Sequence, residues 1–388
     1  MNQRALLISP FFYPEPISTG KYNTALTSGL LSASMHVEVI CLHPLYPTWK
    51  PQFTSIQFQN SVAHRGGGWL RFPKGQIIRR ALLELYFALY VLSSLRTLRR
   101  NWDVVIFICP PSLFTLAANL ILRRSVSRVG IIHDLQGVYS SYKKSPTRAL
   151  VAKTINFVEK SAFKSFNKTI FLSDQMKKTA ISALGLNGSE LYVYYPFVTI
   201  PKFVNHGRLS GILDDSKNNL VYSGALGEKH GPERLVDLFL AAVNSNDSIE
   251  AHVFSSGPIF ENMRRRYTGM GRLCFHNLVA EEDLPELLLR STIQFIPQEP
   301  GTSEGSLPSK LPNLLAASCK VIAITSPNGD LARIIDQYSL GRCAYSWDTN
   351  ILLELINDLL VADNQPLPVD HELLELFSLE KLVHEITS

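Results

Sequence analysis

The 388-residue chain has five cysteines and no CxxC pair. Cys41, Cys109, Cys274, Cys319 and Cys343 stand singly, which supports neither a disulfide framework nor a structural zinc site. Such usage fits a reducing, cytoplasmic compartment. The ten histidines never fall at HxxxH or HEXXH spacing, so no metal centre is expected. No GxGxxG is present, which argues against a conventional NAD site. Helix-turn-helix, zinc-finger and aromatic RNP-like signatures are also missing, so nucleic acid is not an expected partner. The first ten residues read as a short apolar strand ending at Pro10, not as a signal peptide. The longest apolar stretch, 81–95, is too short to cross a bilayer and contains Glu84.

What is present is an ordinary globular composition, 46% hydrophobic and 18% charged. The length exceeds what one hydrophobic core usually supports, so two domains are expected. The net charge of +5 conceals an asymmetry. Residues 1–200 hold 23 Lys/Arg against 8 Asp/Glu, whereas residues 201–388 hold 15 against 25. A basic half and an acidic half imply different partners, and an anionic membrane surface suits the basic one. The 79–100 stretch, flanked by Arg79, Arg80, Arg96, Arg99 and Arg100, has two readings. It is either a buried domain helix or an interfacial helix with Tyr86, Phe87 and Tyr90 in the headgroup layer.

Short β-rich runs alternate with helical stretches. Expected strands are Ala5–Ser9, Val37–Leu42, Val104–Ile108, Arg128–Ile132, Lys168–Leu172 and Leu191–Tyr194. A second series follows: Leu220–Ser223, Ala251–Ser255, Leu273–His276, Ile293–Ile296, Val321–Thr325 and Gly341–Ala344. Alternating β and α units imply α/β architecture with parallel sheets, here two Rossmann-like domains facing a central cleft. The expected bounds are 1–204, 205–366 and a C-terminal helix within 367–388. In such sheets ligands bind outside the carboxyl ends of strands, so each strand–helix loop is a candidate site.

Three loops carry the chemistry. In 306–325 a turn with Pro308 leads into a short apolar helix and then a buried strand. Ser309, Lys310 and Asn313 are placed in the first turn of that helix, where free N–H groups and the dipole favour an anion. The loop after the first strand contains Tyr13, Pro14, Glu15 and Gly20, and Gly20 permits close backbone approach. The loop after Ser223 holds Gly224, Gly227, Lys229 and Gly231, so that amides and one cation can reach phosphate oxygens. His133-Asp134 ends a strand and is either a local cap or an acceptor-orienting pair. His276-Asn277-Leu278 ends another, in the acidic half.

Together these loops resemble the retaining glycosyltransferases of family 4, with the GT-B fold, and within them the colanic-acid-type exopolysaccharide group. The likeness rests on Tyr13-Pro-Glu with Gly20-Lys-Tyr22, and on His43-Pro-Leu-Tyr46-Pro47-Thr-Trp49. It also rests on Tyr222-Ser-Gly-x-x-Gly-Glu-Lys229-x-Gly231 and on Leu307-Pro-Ser-Lys310-Leu-x-Asn313, and it runs over nearly the whole chain in order. The resemblance implies that Gly20, Ser223, Gly224, Lys229, Ser309 and Lys310 hold the donor diphosphate. It places Asn313 at the ribose, where the wider family has Glu, and the base near Leu278. Ala225 stands where the wider family has Arg. Glu304, with Gly301 and Thr302, would face the transferred sugar, and His133 or Asp134 the acceptor hydroxyl.

The implied activity is hexosyl transfer with retention, from a UDP- or GDP-linked sugar to a lipid-linked or oligosaccharide acceptor in surface polysaccharide assembly. No cofactor or metal is implied, cations and amides supplying the positive charge. The implied location is peripheral, on the inner face of the cytoplasmic membrane. Two other readings use the same loops: a GT-B-fold sugar-nucleotide epimerase, and a non-catalytic scaffold, the latter because of Ala225 and Asn313.

Overall fold

A computed structural model describes residues 3–46, 48–73, 75–98, 101–137, 146–187, 190–200, 202–298, 307–361 and 371–388. The chain forms two compact units, Met1–Thr199 with Ser378–Ser388, and Ile200–Phe377. The change of unit at residue 200 falls five residues before the expected start of the second domain at 205. Leu209 and Leu213 of the following segment pack under the second sheet with Val221, Phe254 and Leu287.

The first unit contains β1 (Arg4–Ile8), α1 (Ser18–Ser32), β2 (His36–Leu42), β3 (Val62–Gly66) and α2 (Gln76–Leu98). It continues with β4 (Val104–Cys109), α3 (Leu113–Asn119), β5 (Ser127–Ile132), α4 (Pro146–Phe163), β6 (Lys168–Phe171), α5 (Asp174–Leu184) and β7 (Leu191–Val193). All its strand pairs are parallel, in the order β3-β2-β1-β4-β5-β6-β7. The central strands are buried on both faces, as a parallel sheet covered by helices requires.

The second unit contains β8 (Asn218–Ser223), α6 (Pro232–Ser245), β9 (Ile249–Ser255), α7 (Pro258–Tyr267), β10 (Leu273–Asn277), α8 (Leu284–Leu289) and β11 (Ile293–Pro297). It ends with α9 (Leu311–Ala316), β12 (Lys320–Ile324), α10 (Asp330–Gln337), β13 (Gly341–Ala344), α11 (Thr349–Val361) and α12 (His371–Leu376). Its order is β10-β9-β8-β11-β12-β13, again all parallel. The last helix, α13 (Leu379–Thr387), returns to the first unit. There Leu382, Val383 and Ile386 join the core of Leu26 and Leu30. A Cβ on Gly29 would come within 2.9 Å of Val383, so this seat in α1 is cut for the returning helix.

β3 was not expected from the sequence. Its polar His64 and Arg65 hide the strand pattern, yet they tie it down. His64 Nε2 meets buried Glu38 at 2.9 Å, and Arg65 donates to the Tyr13 carbonyl at 2.6 Å.

The apolar stretch forms α2, and its two faces differ. Leu83, Phe87, Val91 and Leu95 are buried. Glu84 is also accounted for: its carboxylate accepts the amides of Ser112 and Leu113 at 2.9–3.1 Å and so caps α3. The opposite stripe, Ile78, Leu82, Leu85 and Leu89, is exposed. The aromatic residues expected in a headgroup layer are not on that stripe. Phe87 is fully buried, and Tyr86 and Tyr90 stack on one another over Gly66 and Gly67.

Candidate active site

In each sheet the chain reverses direction of growth at one place, between β1 and β4 and between β8 and β11. Loops leaving such a pair of neighbouring strands splay apart and open a crevice at their carboxyl ends. In the second unit those loops are Gly224–Gly231 and the segment that ends at Lys310. The first and third chemistry-bearing loops of the sequence therefore leave one switch point.

Lys310 lies across that switch point. Its Nζ donates to the Phe295 carbonyl of β11 at 2.5 Å and sits 4.5 Å from the centre of the Tyr222 ring of β8. Burial pushes its ammonium down to about 7 from the ordinary 10.5, with no carboxylate among the described residues offsetting the desolvation. Beside it, Tyr222 donates its hydroxyl to the Ala225 carbonyl at 2.8 Å, and Ser223 Oγ lies 3.5 Å from Gln294 Oε1. Gly224 has φ of +137°, a conformation open to glycine, and a Cβ there would meet nothing within 4 Å. Its half-buried backbone thus faces open space at the mouth of β8.

The rest of this loop is closed by His230, for which the sequence reading gave no role. Gly227 donates its amide to His230 Nδ1 at 2.9 Å. Burial, with Lys229 and Lys310 nearby, pushes this imidazole down to about 4, so it is neutral and free to accept that bond. Gly231, at φ of +55°, then turns the chain into α6, whose first residue is Pro232. Lys229 is exposed at the loop tip.

Two sequence placements change. Ser309 and Lys310 precede the helix: α9 begins at Leu311, with Lys310 as its N-cap and Pro312 in its first turn. The helix has six residues, so its dipole is a minor asset and the cation itself is the main electrostatic feature. Asn313 is buried, and its Oδ1 accepts the amide of Ile200 at 3.3 Å. That bond fastens the first residue of the unit to α9. Leu278 is half exposed in the loop after β10. Glu304, Gly301, Thr302 and Ser306 lie outside the described residues.

In the first unit, Gly20 is in the first turn of α1 and is buried. A Cβ there would fall 2.5 Å from the Glu15 carbonyl oxygen, so the glycine is required by packing whatever else it does. The helix start has no side-chain acceptor at Ile17. Glu15 is buried and accepts the amides of Leu45 and Tyr46 at 2.7 and 3.0 Å. The Tyr-x-Pro-Glu-like loop and the His43–Trp49 loop, separate in sequence, are therefore one unit held by a carboxylate. Trp49 completes it, with the Arg79 guanidinium 4.1 Å above its ring.

His133 ends β5 with its Nε2 buried and without a hydrogen-bond partner among the described residues. Burial pushes its imidazole down to about 4. Its ring meets Tyr22 edge-on at 4.5 Å, and the Tyr22 hydroxyl is likewise buried without a partner. Two unsatisfied polar groups side by side at the carboxyl end of a parallel sheet mark a place suited to a hydroxylated ligand. Close by in sequence, Gln136 and Gly137 donate their amides to Glu159 of α4. Burial pushes Glu159 up to about 8, those two bonds offsetting part of the effect and Asp134 and Glu84 adding to it. Tyr22 stands in the first-loop motif without an assigned role, and the sequence does not single out Glu159. The signal for Glu159 was an acidic residue inside an apolar helical stretch.

No family model matches the chain. It is 24% identical over 353 residues to the Escherichia coli (strain K12) protein assigned to colanic acid biosynthesis as glycosyl transferase WcaI, covering 84% of each chain. Among solved structures it is similar to sucrose-phosphate synthase from Thermosynechococcus elongatus, at TM-score 0.75 and 16% identity, covering 100% and 98% of the two chains. It is similar to WaaG, a glycosyltransferase involved in lipopolysaccharide biosynthesis, at 0.72 and 14%, covering 99% and 100%. The Anabaena HepE complex with UDP and glucose superposes at 0.63 and 14%, covering 99% and 95%. With the two parallel sheets above, these likenesses give the GT-B fold.

Proposed function

We propose that this chain, a glycosyltransferase of the GT-B fold, moves a hexose from a nucleoside-diphosphate sugar to a lipid-linked glycan during surface polysaccharide assembly. The observation that carries the reading is Lys310, a buried amine set across β8 and β11 beside the open backbone of Gly224. A cation held at that burial with no carboxylate among the described residues is costly, and an incoming diphosphate supplies negative charge.

In this reading Ser223, the Gly224 backbone and Lys229 hold the diphosphate with Ser309 and Lys310, while Leu278 lies against the base. Asn313 positions the ribose side of the site through its bond to Ile200. Positive charge from lysines and amides stabilises the departing diphosphate, so no metal is needed for the transfer. Gly20 and the α1 start supply further amides to the donor. Glu304 faces the sugar, and His133, kept neutral by burial, accepts a hydrogen bond from the acceptor hydroxyl with Asp134 beside it. The departing diphosphate oxygen takes the acceptor proton on the same face, and the anomeric configuration is retained.

The exposed stripe Ile78, Leu82, Leu85 and Leu89 supports a peripheral place on an anionic membrane, with Arg71 and Arg80 at its start to meet lipid phosphates. WaaG and the E. coli relative bear names from envelope polysaccharide synthesis, which supports that acceptor class. The test is release of UDP or GDP from a panel of nucleotide sugars, with and without a membrane extract. Extract-dependent release that is lost in Lys310→Ala supports transfer. Release that needs no extract and yields an altered nucleotide sugar favours the epimerase, and none with any donor opposes catalysis.

A further inference from the structure

Outside the loops used above, β9 and β10 bring together three ligand-type side chains from distant parts of the sequence. His252 is opposite Cys274 in the parallel register, and His276 is opposite Phe254, so all four side chains share one face of the sheet. One nitrogen of each histidine and the Cys274 sulfur lie within 4.8 Å of one another. His252 Nδ1 and His276 Nε2 are 3.2 Å apart. Two imidazole nitrogens on one tetrahedral zinc ion are separated by about 3.3 Å, given bonds of about 2.0 Å.

The surroundings also fit. His252 is fully buried, and its remaining ring nitrogen, Nε2, has no hydrogen-bond partner among the described residues. The nearest carboxylate oxygen to it is Glu250 Oε2 at 3.7 Å. A metal-bound histidine characteristically directs its other N–H to a carboxylate, so Nδ1 toward the cluster and Nε2–H toward Glu250 is the tautomer a metal selects. His276 is held in plane by Phe254, stacked at 4.6 Å. Cys274 is a free thiol, half buried, and so reachable from solvent.

We propose that His252, Cys274 and His276 form a zinc-binding site that clamps the edge strand β10 to β9. Two imidazoles and a thiolate are a borderline-soft set that suits Zn2+ over Mg2+ or Ca2+, with water completing the tetrahedron. Cys274 binds as the thiolate and releases its proton to the buffer. The site lies within β9 and β10, just before the loop of Leu278, and supplies no group to the transfer step. Spacing could not reveal it, because the ligands are brought together by pairing of parallel strands 24 residues apart.

The full chain, stripped with EDTA and kept reduced, is titrated with Co2+ alone as a spectroscopic stand-in. One Co2+ per chain is expected, with a near-ultraviolet thiolate-to-cobalt band that Zn2+ displaces, and Zn2+ should raise the melting temperature. Cys274→Ser should lose the band and His276→Gln should weaken uptake at least tenfold, while Cys343→Ser keeps both. Both test positions are partly exposed, so the variants should fold, and melting without metal checks this. No band in the wild-type chain, or an unchanged band in Cys274→Ser, overturns the proposal.

Discussion

Replacing Lys310 by methionine keeps the length of the side chain and removes its charge, which separates two things the lysine does. In the folded chain burial holds its amine at about 7, against 10.5 unfolded. Between those pH values the unfolded chain binds more protons, so stability rises with pH across the window. The cost of burying the charge is complete below pH 7 and gone above 10.5. The gap corresponds to something on the order of 4–5 kcal/mol. Against it stands the lost bond to the Phe295 carbonyl, about 1 kcal/mol, or somewhat more with the carbonyl left unsatisfied. At pH 6 the methionine variant should therefore melt several degrees above wild type, at about 2–4 °C per kcal/mol. At pH 9 the advantage should shrink to less than half. Differential scanning calorimetry at the two values reads this. Titration calorimetry with UDP and GDP reads the other role: loss of a charged contact worth about 1.5–3 kcal/mol weakens binding ten- to a hundredfold. A variant that melts lower at pH 6 and binds nucleotide unchanged would mean that Lys310 is a packing strut, and the donor-site argument would fail.

Other predictions follow from single contacts. Gly20→Ala drives a methyl into the Glu15 carbonyl and should cost about 1–3 kcal/mol in urea unfolding, with or without nucleotide. Glu159 titrates near 8 when folded and near 4.5 unfolded, so the folded chain binds the extra proton and its stability falls as pH rises from 5 to 8. Glu159→Gln should flatten that slope in urea midpoints measured at both ends. The transfer rate should show no inflection near 6.5 from His133, whose imidazole stays neutral down to about 4, and a His133-dependent inflection there would contradict its assigned state. Leu82→Ser with Leu85→Ser and Leu89→Ser should lower binding to anionic vesicles at least tenfold and leave the melting temperature unchanged, since these side chains are exposed.

Much of the fold was legible because the strands are short, β-branched and buried on both faces, and twelve of them fall within two residues of their expected ends. β3 was hidden because His64 and Arg65 satisfy partners that only the folded sheet supplies. The loop motifs were legible as glycines and a lysine after strands, and the strand order explains why two of them converge. Their internal bookkeeping was not. The turn at Pro308 placed Ser309 and Lys310 in the first turn of the helix, but Pro312 is the first-turn proline, which moves both out. The contact of Asn313 Oδ1 with the Ile200 amide, 113 residues away, had no local signal in the sequence. Glu15 stood in the first loop without an assigned role, and Glu84 interrupted an apolar run. Each secures backbone amides of a distant loop, a relation no local pattern encodes.

The central claim is sugar transfer from a nucleotide donor, and it is tested most directly by following the sugar itself. Nucleotide sugars labelled in the hexose, UDP- and GDP-linked, are incubated with the purified chain and a membrane extract, and the organic-soluble fraction is counted. The account predicts that label from one donor moves into lipid-extractable product and that Lys310→Met abolishes this. Label that stays in the aqueous phase with every donor, or moves equally well with Lys310→Met, would contradict it.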